Sequence, residues 1–153
     1  MADEYLAYKR SKFATRLPTD RVFTESHFWI APEASGLMRI GFTKFATRML
    51  GEIVEFDYEV KPGDAIEVGQ AIGWFEGFKA VSDLYAPVAG SFAGPNPGLD
   101  GADGGSVEDV HKRPYDRGWL YRVEGPTPEN LLTATDYAKF LDETIDRMMG
   151  KSS

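Results

Sequence analysis

A single lysine interrupts an apolar stretch near the middle of the chain, in the segment WFEGFKAVSDLYAP at residues 74–87. Lys79 follows the strand-like run AIGWFEGF and precedes AVSDLYAP, with no helix signal or long loop between them. This pattern predicts that Lys79 lies at or near the tip of a tight β-hairpin. An exposed tip presents an amine to a modifying enzyme, whereas a catalytic lysine needs a desolvated pocket that lowers its pKa. Covalent attachment at Lys79 and an ordinary solvated lysine are the two interpretations.

Other chemistry has little support in the residue types. The chain has no cysteine, which excludes disulfides, thiolate metal sites and a cysteine nucleophile. His27 and His111 are far apart and do not form a metal-ligand pattern. No triad, metal cluster or phosphate-binding loop is visible. We therefore expect no catalytic residue and no metal site.

Composition and charge point to a protein that docks onto other proteins. The 153 residues are enough for one domain with a core, and the net charge is −7. Nucleic-acid binding needs a basic surface, so we expect none. No apolar run has the length of a membrane span, and the polar N-terminus lacks a signal-peptide core. The expectation is a monomeric cytoplasmic protein without membrane contact.

The hydrophobic pattern is mostly that of β-strands, with two helices. HFWI and LMRI read as strands around a turn, and residues 52–93 read as β throughout. FTKFATRMLG predicts a short helix that Thr43 caps and Gly51 ends, with an apolar face of Phe45, Met49 and Leu50. Residues 94–118 are rich in Gly, Pro and Asp and predict a long loop, which WLYRVEG follows as the last strand.

A C-terminal helix is predicted from the start signal at residues 127–130, Thr-Pro-Glu-Asn. Its apolar stripe consists of Tyr137, Phe140, Leu141, Ile145 and Met148. The first twenty residues carry Lys9, Arg10, Lys12 and Arg16, and we expect a solvated or loosely ordered arm there. The pentapeptide KFATR occurs twice, at 12–16 and 44–48, without periodic continuation.

The segment from GEIVEFDYEV to LYAPVAG resembles the attachment region of the lipoyl/biotinyl domain family. The matching motifs are the PGD turn, the GQAIG segment, the E-x-x-K-A core and the D-x-Y-A-P-V-x-G exit. Ala80 after the lysine is typical of the lipoyl branch. The resemblance implies a mostly β barrel-sandwich hybrid of two small sheets, with a short internal helix and a C-terminal helix as additions.

More of the chain resembles the glycine cleavage H-protein family. SHFWI at 26–30, GFTKFATRMLGEIV and PYDRGWLYRV correspond to that family's segments in the same order, and the resemblance covers residues 21–149. It implies a non-catalytic carrier with lipoic acid on Lys79, attached by a lipoate ligase or lipoyl transferase. It also divides the chain into an arm at 1–20, a lipoyl domain of H-protein type at 21–125 and a helical cap at 126–150.

The residues implied for the arm's pocket depart in part from the H-protein pattern. Phe28 stands where the family has a glutamate, and Met49 where some members have a histidine. Ser26 and Asp83 match pocket residues of the family. Burying an ammonium without partners is costly, so an apolar pocket favours a less charged load. The residues expected to flank the arm are Glu76, Gly77 and Phe78.

Four basic residues are expected at a partner-docking surface: Lys44, Arg48, Lys112 and Arg113. H-proteins usually have acidic residues near Lys44 and before the Pro-Tyr segment, and a reversed charge selects different partners. With EGFKA, these features resemble the lipoate-binding proteins of the sulfur-oxidising, heterodisulfide-reductase-like system.

The main hypothesis is therefore a carrier of sulfur intermediates that works with a heterodisulfide-reductase-like oxidoreductase complex. The alternative is a glycine cleavage H-protein that carries the aminomethyl group. Its partners would be glycine decarboxylase, aminomethyltransferase and dihydrolipoamide dehydrogenase. A third possibility, from another class, is an unmodified docking or regulatory protein that retains the fold.

Overall fold

The computed structural model describes residues 4–78 and 80–150. The β-strands are β1 (Tyr5–Arg10), β2 (Phe13–Pro18), β3 (Val22–Phe23), β4 (Phe28–Pro32), β5 (Leu37–Phe42), β6 (Ile53–Tyr58), β7 (Ala65–Ile66), β8 (Ala71–Gly77), β9 (Val81–Tyr85), β10 (Gly90–Pro95) and β11 (Tyr121–Glu124). The α-helices are α1 (Lys44–Leu50), α2 (Asp109–Lys112) and α3 (Ala134–Met148).

Two antiparallel sheets form the body of the protein. The larger has the order β3-β4-β5-β11-β10-β7, and the smaller has the order β6-β8-β9. One buried cluster joins Ile40 of the larger sheet to Ile72 and Leu84 of the smaller, because alternate side chains of each strand point to the same face. The predicted mostly β fold with two small sheets and helical additions is confirmed, and the two sheets of described strands do not close into a barrel.

Helix α1 has the predicted start and stop. The Thr43 hydroxyl oxygen accepts a hydrogen bond from the Ala46 amide at 3.2 Å, and Gly51 ends the helix with a φ of 79°. Phe45 is buried as expected, but Met49 is 44% exposed. Only part of the predicted apolar face therefore reaches the core.

The expectation of a loose N-terminal arm is wrong for residues 5–18, because β1 and β2 form an antiparallel hairpin. Leu17 is fully buried. The Tyr8 hydroxyl donates a hydrogen bond to Asp142 of α3 at 2.8 Å, and the Arg10 guanidinium pairs with Asp146 of the same helix. These contacts are distant in sequence, so the basic composition gave no sign of them.

Helix α3 begins at Ala134, later than the predicted start at residues 127–130. Its first turn is capped by the Thr133 side chain, which accepts a hydrogen bond from the Asp136 amide at 3.1 Å. Just before the cap, Leu132 exchanges two backbone hydrogen bonds with Phe23 of β3. This pairing holds the preceding chain extended against the sheet and delays the helix.

The segment 94–118 is not the uniform loop that its composition predicted. It contains the end of β10, two short 3₁₀ turns at Pro97–Asp100 and Ala102–Gly104, and helix α2. The buried Asn96 side chain donates hydrogen bonds to the carbonyls of Arg117 and Trp119, both at 2.8 Å, and so closes the base of the segment.

Among residues 4–78 and 80–150, no helix has the length and apolar character needed to cross a membrane. The same residues contain no cluster of three or more His, Asp or Glu side chains that could hold a metal ion.

Candidate functional site

The predicted attachment residue, Lys79, lies outside the described residues, but the strands on either side of it are described. Strands β8 and β9 pair antiparallel, with Glu76 opposite Val81. The Gly77 amide donates a hydrogen bond to the Ala80 carbonyl at 2.9 Å. The predicted hairpin is therefore present, and in sequence Lys79 falls in the short connection between its strands.

The end of this hairpin is held against the C-terminal end of α1. The Phe78 amide donates a hydrogen bond to the Glu52 carbonyl at 2.9 Å. Gly77 is buried, and a Cβ atom at this position would come within 3.1 Å of the Leu50 carbonyl oxygen. Glycine therefore permits the close approach of hairpin and helix. The Phe78 side chain, in contrast, is 79% exposed.

A cavity of about 830 Å³ lies beside this hairpin, on the side of α1. Its walls come from the segment before β4, from α1 and from β9 and the residues after it. The structure brings four predicted pocket residues to this cavity: Ser26, Phe28, Met49 and Asp83. Glu76, Gly77 and Phe78 do not line it, since they belong to the end of the hairpin.

Most of the cavity wall is apolar. Phe28 is buried and stacks on Phe42 with ring centroids 5.1 Å apart, and Phe75 packs edge-on against Phe42 at 5.4 Å. Among the polar groups, the Ser26 hydroxyl shares a 2.9 Å hydrogen bond with Thr24. The exposed Asp83 carboxylate accepts a hydrogen bond from the Tyr85 hydroxyl at 3.3 Å. The cavity thus combines an apolar wall with a few oxygen atoms.

His27 is a cavity residue that the sequence analysis considered only as a metal ligand. Its Nδ1 atom is 2.8 Å from the Tyr137 hydroxyl, which lies 2.8 Å from the Thr43 hydroxyl at the start of α1. The ring lies 4.7 Å from that of Phe45. Burial lowers the pKa of His27 to about 4, so the imidazole is neutral near pH 7. No local signal could reveal this role, because Tyr137 is 110 residues away in sequence.

Three of the four predicted docking residues meet at a second concavity. Lys44, Lys112 and Arg113 line it together with Arg16 of β2, which the sequence analysis did not include among the docking residues. Arg48 is exposed on α1 but does not line this groove.

Comparisons with known proteins match most of the chain and support the observed fold. The family model described as glycine cleavage H-protein matches residues 21–144. The glycine cleavage system H protein of Nitratidesulfovibrio vulgaris is 39% identical over 122 residues, which cover 79% of this chain and 91% of that protein. The probable glycine cleavage system H protein of Natronomonas pharaonis is 42% identical over 123 residues, with coverage of 79% and 93%.

A solved structure extends this similarity to three dimensions. The crystal structure of a glycine cleavage system H protein from Mycobacterium marinum superposes with a TM-score of 0.67 at 34% identity, and covers 80% of this chain and 97% of that one. These names fit the glycine cleavage alternative of the sequence analysis, and none of the three mentions sulfur oxidation. On this sequence match and shared fold, the chain belongs to the glycine cleavage H-protein family of non-catalytic proteins that carry lipoic acid on a lysine.

Proposed function

We propose that this carrier holds its lipoyl group in amide linkage to Lys79 and transports the aminomethyl group of glycine cleavage. The observation that carries the proposal is the cavity of about 830 Å³. The end of α1 lines this cavity and also lies next to the hairpin. Met49 and Leu50 line the cavity, while the Leu50 carbonyl and the neighbouring Glu52 carbonyl contact the hairpin end. An arm attached at position 79 would therefore start next to a sheltered space.

The cavity fits a lipoyl group in chemistry as well as in position. Phe28, Phe42 and Phe75 supply an apolar wall suited to a hydrocarbon chain and a sulfur ring. When bound, a lipoyl group supplies a dithiolane that opens and recloses by thiol–disulfide exchange. The protein's own residues would orient the arm, limit its contact with water and present it to successive enzymes at a high effective concentration.

A cationic load needs acceptor groups, and the cavity offers two carboxylates. The carboxylates are those of Asp83 in β9 and Glu25 before β4. Ser26, between β3 and β4, adds a hydroxyl to the same cavity. A hydrogen bond between a carboxylate and an ammonium is stronger than one between two neutral groups. Together with the names of the relatives, these oxygens support an aminomethyl load and the partners glycine decarboxylase, aminomethyltransferase and dihydrolipoamide dehydrogenase.

Loading by glycine decarboxylase tests this proposal directly. The lipoylated chain is incubated with glycine and the enzyme, and intact mass reports the fraction loaded. We expect efficient loading of the unaltered chain and a loss of about tenfold in loading rate for Asp83→Asn, the scale of one charge-assisted hydrogen bond. Asp57→Asn makes the same change at an exposed residue that does not line the cavity, and it should load normally. No loading of the unaltered chain would overturn the proposal.

A second candidate is a sulfur-containing load that is passed to a heterodisulfide-reductase-like complex. The observation that favours it is the position of Phe28, which is buried in the cavity wall and offers no polar partner to a cation. In a host that oxidises reduced sulfur compounds, Lys79→Arg should then abolish growth on such a compound, whereas Lys61→Arg should not. Normal growth of the Lys79→Arg strain would exclude this candidate.

A further inference from the structure

A groove of about 500 Å³ lies between the N-terminal hairpin and the two short helices α1 and α2. Four cationic side chains line it: Arg16, Lys44, Lys112 and Arg113. They come from three segments that are far apart in sequence, at residues 16, 44 and 112–113, so the groove exists only in the folded protein. It is a concentration of positive charge on a chain whose net charge is −7.

Two of the four cations have no carboxylate partner within 4.0 Å among residues 4–78 and 80–150. Arg16 is exposed, and its guanidinium lies over the Tyr5 ring at 4.9 Å from the centroid. The Lys44 ammonium donates a hydrogen bond to the backbone carbonyl of His111 at 3.0 Å. Both positive charges are therefore available to a carboxylate from outside the chain.

The other two cations are partly neutralised by carboxylates in and beside α2. Lys112 pairs with Glu108 at 2.6 Å and Arg113 with Asp109 at 3.1 Å. Asp116 is the acidic residue among the described groove-lining residues. The Lys112–Glu108 pair is exposed and therefore weak, whereas the Asp109 carboxylate is buried beside Arg113. Arg16 and Lys44 outnumber Asp116, so the groove keeps a net positive charge.

Helix α1 connects this groove to the cavity at the hairpin. Its first residue, Lys44, lines the groove, and its last two, Met49 and Leu50, line the cavity. Seven helical residues span about 10 Å. A protein bound in the groove would therefore have its surface close to the hairpin that contains Lys79.

We propose that this groove docks an acidic segment of the partner enzyme that acts on the carried group. The negative net charge of the chain disfavours a nucleic acid, whose long anionic backbone would be repelled outside the groove. A short acidic peptide matches the charge of the groove and carries no long anionic backbone beyond it. Charge complementarity of this kind raises association rates and selects partners. The proposal goes beyond the carrier function and does not depend on the identity of the load.

Peptide binding to the full, unmodified chain tests the proposal. The probe is a fluorescein-labelled oligoglutamate peptide of ten residues, followed by fluorescence anisotropy at low and physiological salt. The Arg16→Glu/Lys44→Glu variant should bind at least about tenfold more weakly, since it reverses the two unpaired charges. Lys61→Glu/Lys139→Glu changes the net charge equally at exposed lysines outside the groove, and its affinity should fall less than about twofold.

Three results would overturn the proposal: no binding of the peptide, equal weakening in both double variants, or tighter binding of a single-stranded oligonucleotide of equal charge. Because Lys44→Glu also removes the bond to His111, the exposed substitution Arg16→Glu alone is measured as well. It should weaken peptide binding several-fold without lowering the thermal unfolding midpoint, and unchanged affinity would contradict the proposal.

Discussion

His27 illustrates how one side chain links the cavity to the framework around it. Its backbone has a φ of 71°, and its imidazole bonds to Tyr137 of α3, which in turn meets Thr43 at the start of α1. Burial lowers the pKa of His27 from 6.5 to about 4. A neutral imidazole therefore joins two helices at the edge of the site.

The depressed pKa of His27 makes stability depend on pH in a predictable direction. Between about pH 6.5 and 4 the unfolded chain binds a proton at this residue and the folded chain does not, so the free energy of unfolding falls as the pH falls. The contribution is about 1–3 kcal/mol, after allowance for partial exposure. His27→Asn tests this, because asparagine tolerates the left-handed backbone. The free energy of unfolding, measured in urea, should change less between pH 7 and pH 4.5 in this variant than in the unaltered chain.

Tyr137→Phe serves as the control for this measurement, because it removes the hydrogen bond but keeps the titrating ring. It should retain most of the pH dependence even if it lowers stability at every pH. Identical pH dependence in His27→Asn and the unaltered chain would show that His27 does not titrate on unfolding.

The site residues that could be predicted from the sequence are those covered by the family resemblance. Ser26, Phe28, Met49 and Asp83 come together at the cavity, as the resemblance implied. Their roles toward the arm remain predictions. Arg16 was not predicted as a groove residue, because its position depends on the pairing of β2 with β1 and on packing against distant helices.

At the scale of elements, the repeated pentapeptide KFATR adopts two different structures. The copy at 12–16 lies mainly in strand β2, and the copy at 44–48 forms most of helix α1. The second copy follows the Thr43 cap and precedes Gly51, whereas the first leads to Pro18 and pairs with β1. Flanking caps and pairing partners therefore decide the structure, and this is why local propensity predicted α1 but not the hairpin.

The two copies also contact each other, since the rings of Phe13 and Phe45 pack edge-to-face with centroids 5.5 Å apart. This contact joins the N-terminal hairpin to the helix that leads to the cavity. The hairpin is thus part of the folded body, and it supplies one wall of the basic groove.

Two leucines of the hairpin provide a matched test of its packing. Leu17 is fully buried, while Leu6 is only partly buried. Leu17→Ala should lower the free energy of unfolding by about 2–4 kcal/mol, because it leaves a cavity in the core. Leu6→Ala should cost about 1 kcal/mol, since less of its surface leaves water on folding. Chemical denaturation measures both, and equal small losses would indicate that the hairpin does not share the core.

At the scale of the whole molecule, the alternation of apolar residues predicted most strands of the two sheets. It could not predict where α3 begins, because the preceding residues are held by backbone pairing with Phe23. It also missed α2 within the Gly-rich segment, whose base is closed by the Asn96 side chain. At the start of α3, long-range backbone hydrogen bonds override the local composition.

Residues of helix α1 line both the cavity proposed for the arm and the groove proposed for docking. One end of this helix meets the hairpin of the proposed attachment site, and the other meets the surface proposed for docking. A carrier needs both functions close together, so that a bound partner can reach the arm. This arrangement depends on Lys79 as the point of attachment.

Intact mass of the chain after co-expression with a lipoate ligase tests that dependence most directly. We predict one lipoyl increment on the unaltered chain, none on Lys79→Arg, and one on the control Lys61→Arg. Peptide mapping should locate the increment at residue 79. A lipoyl group on the Lys79→Arg variant, or none on the unaltered chain, would contradict the account.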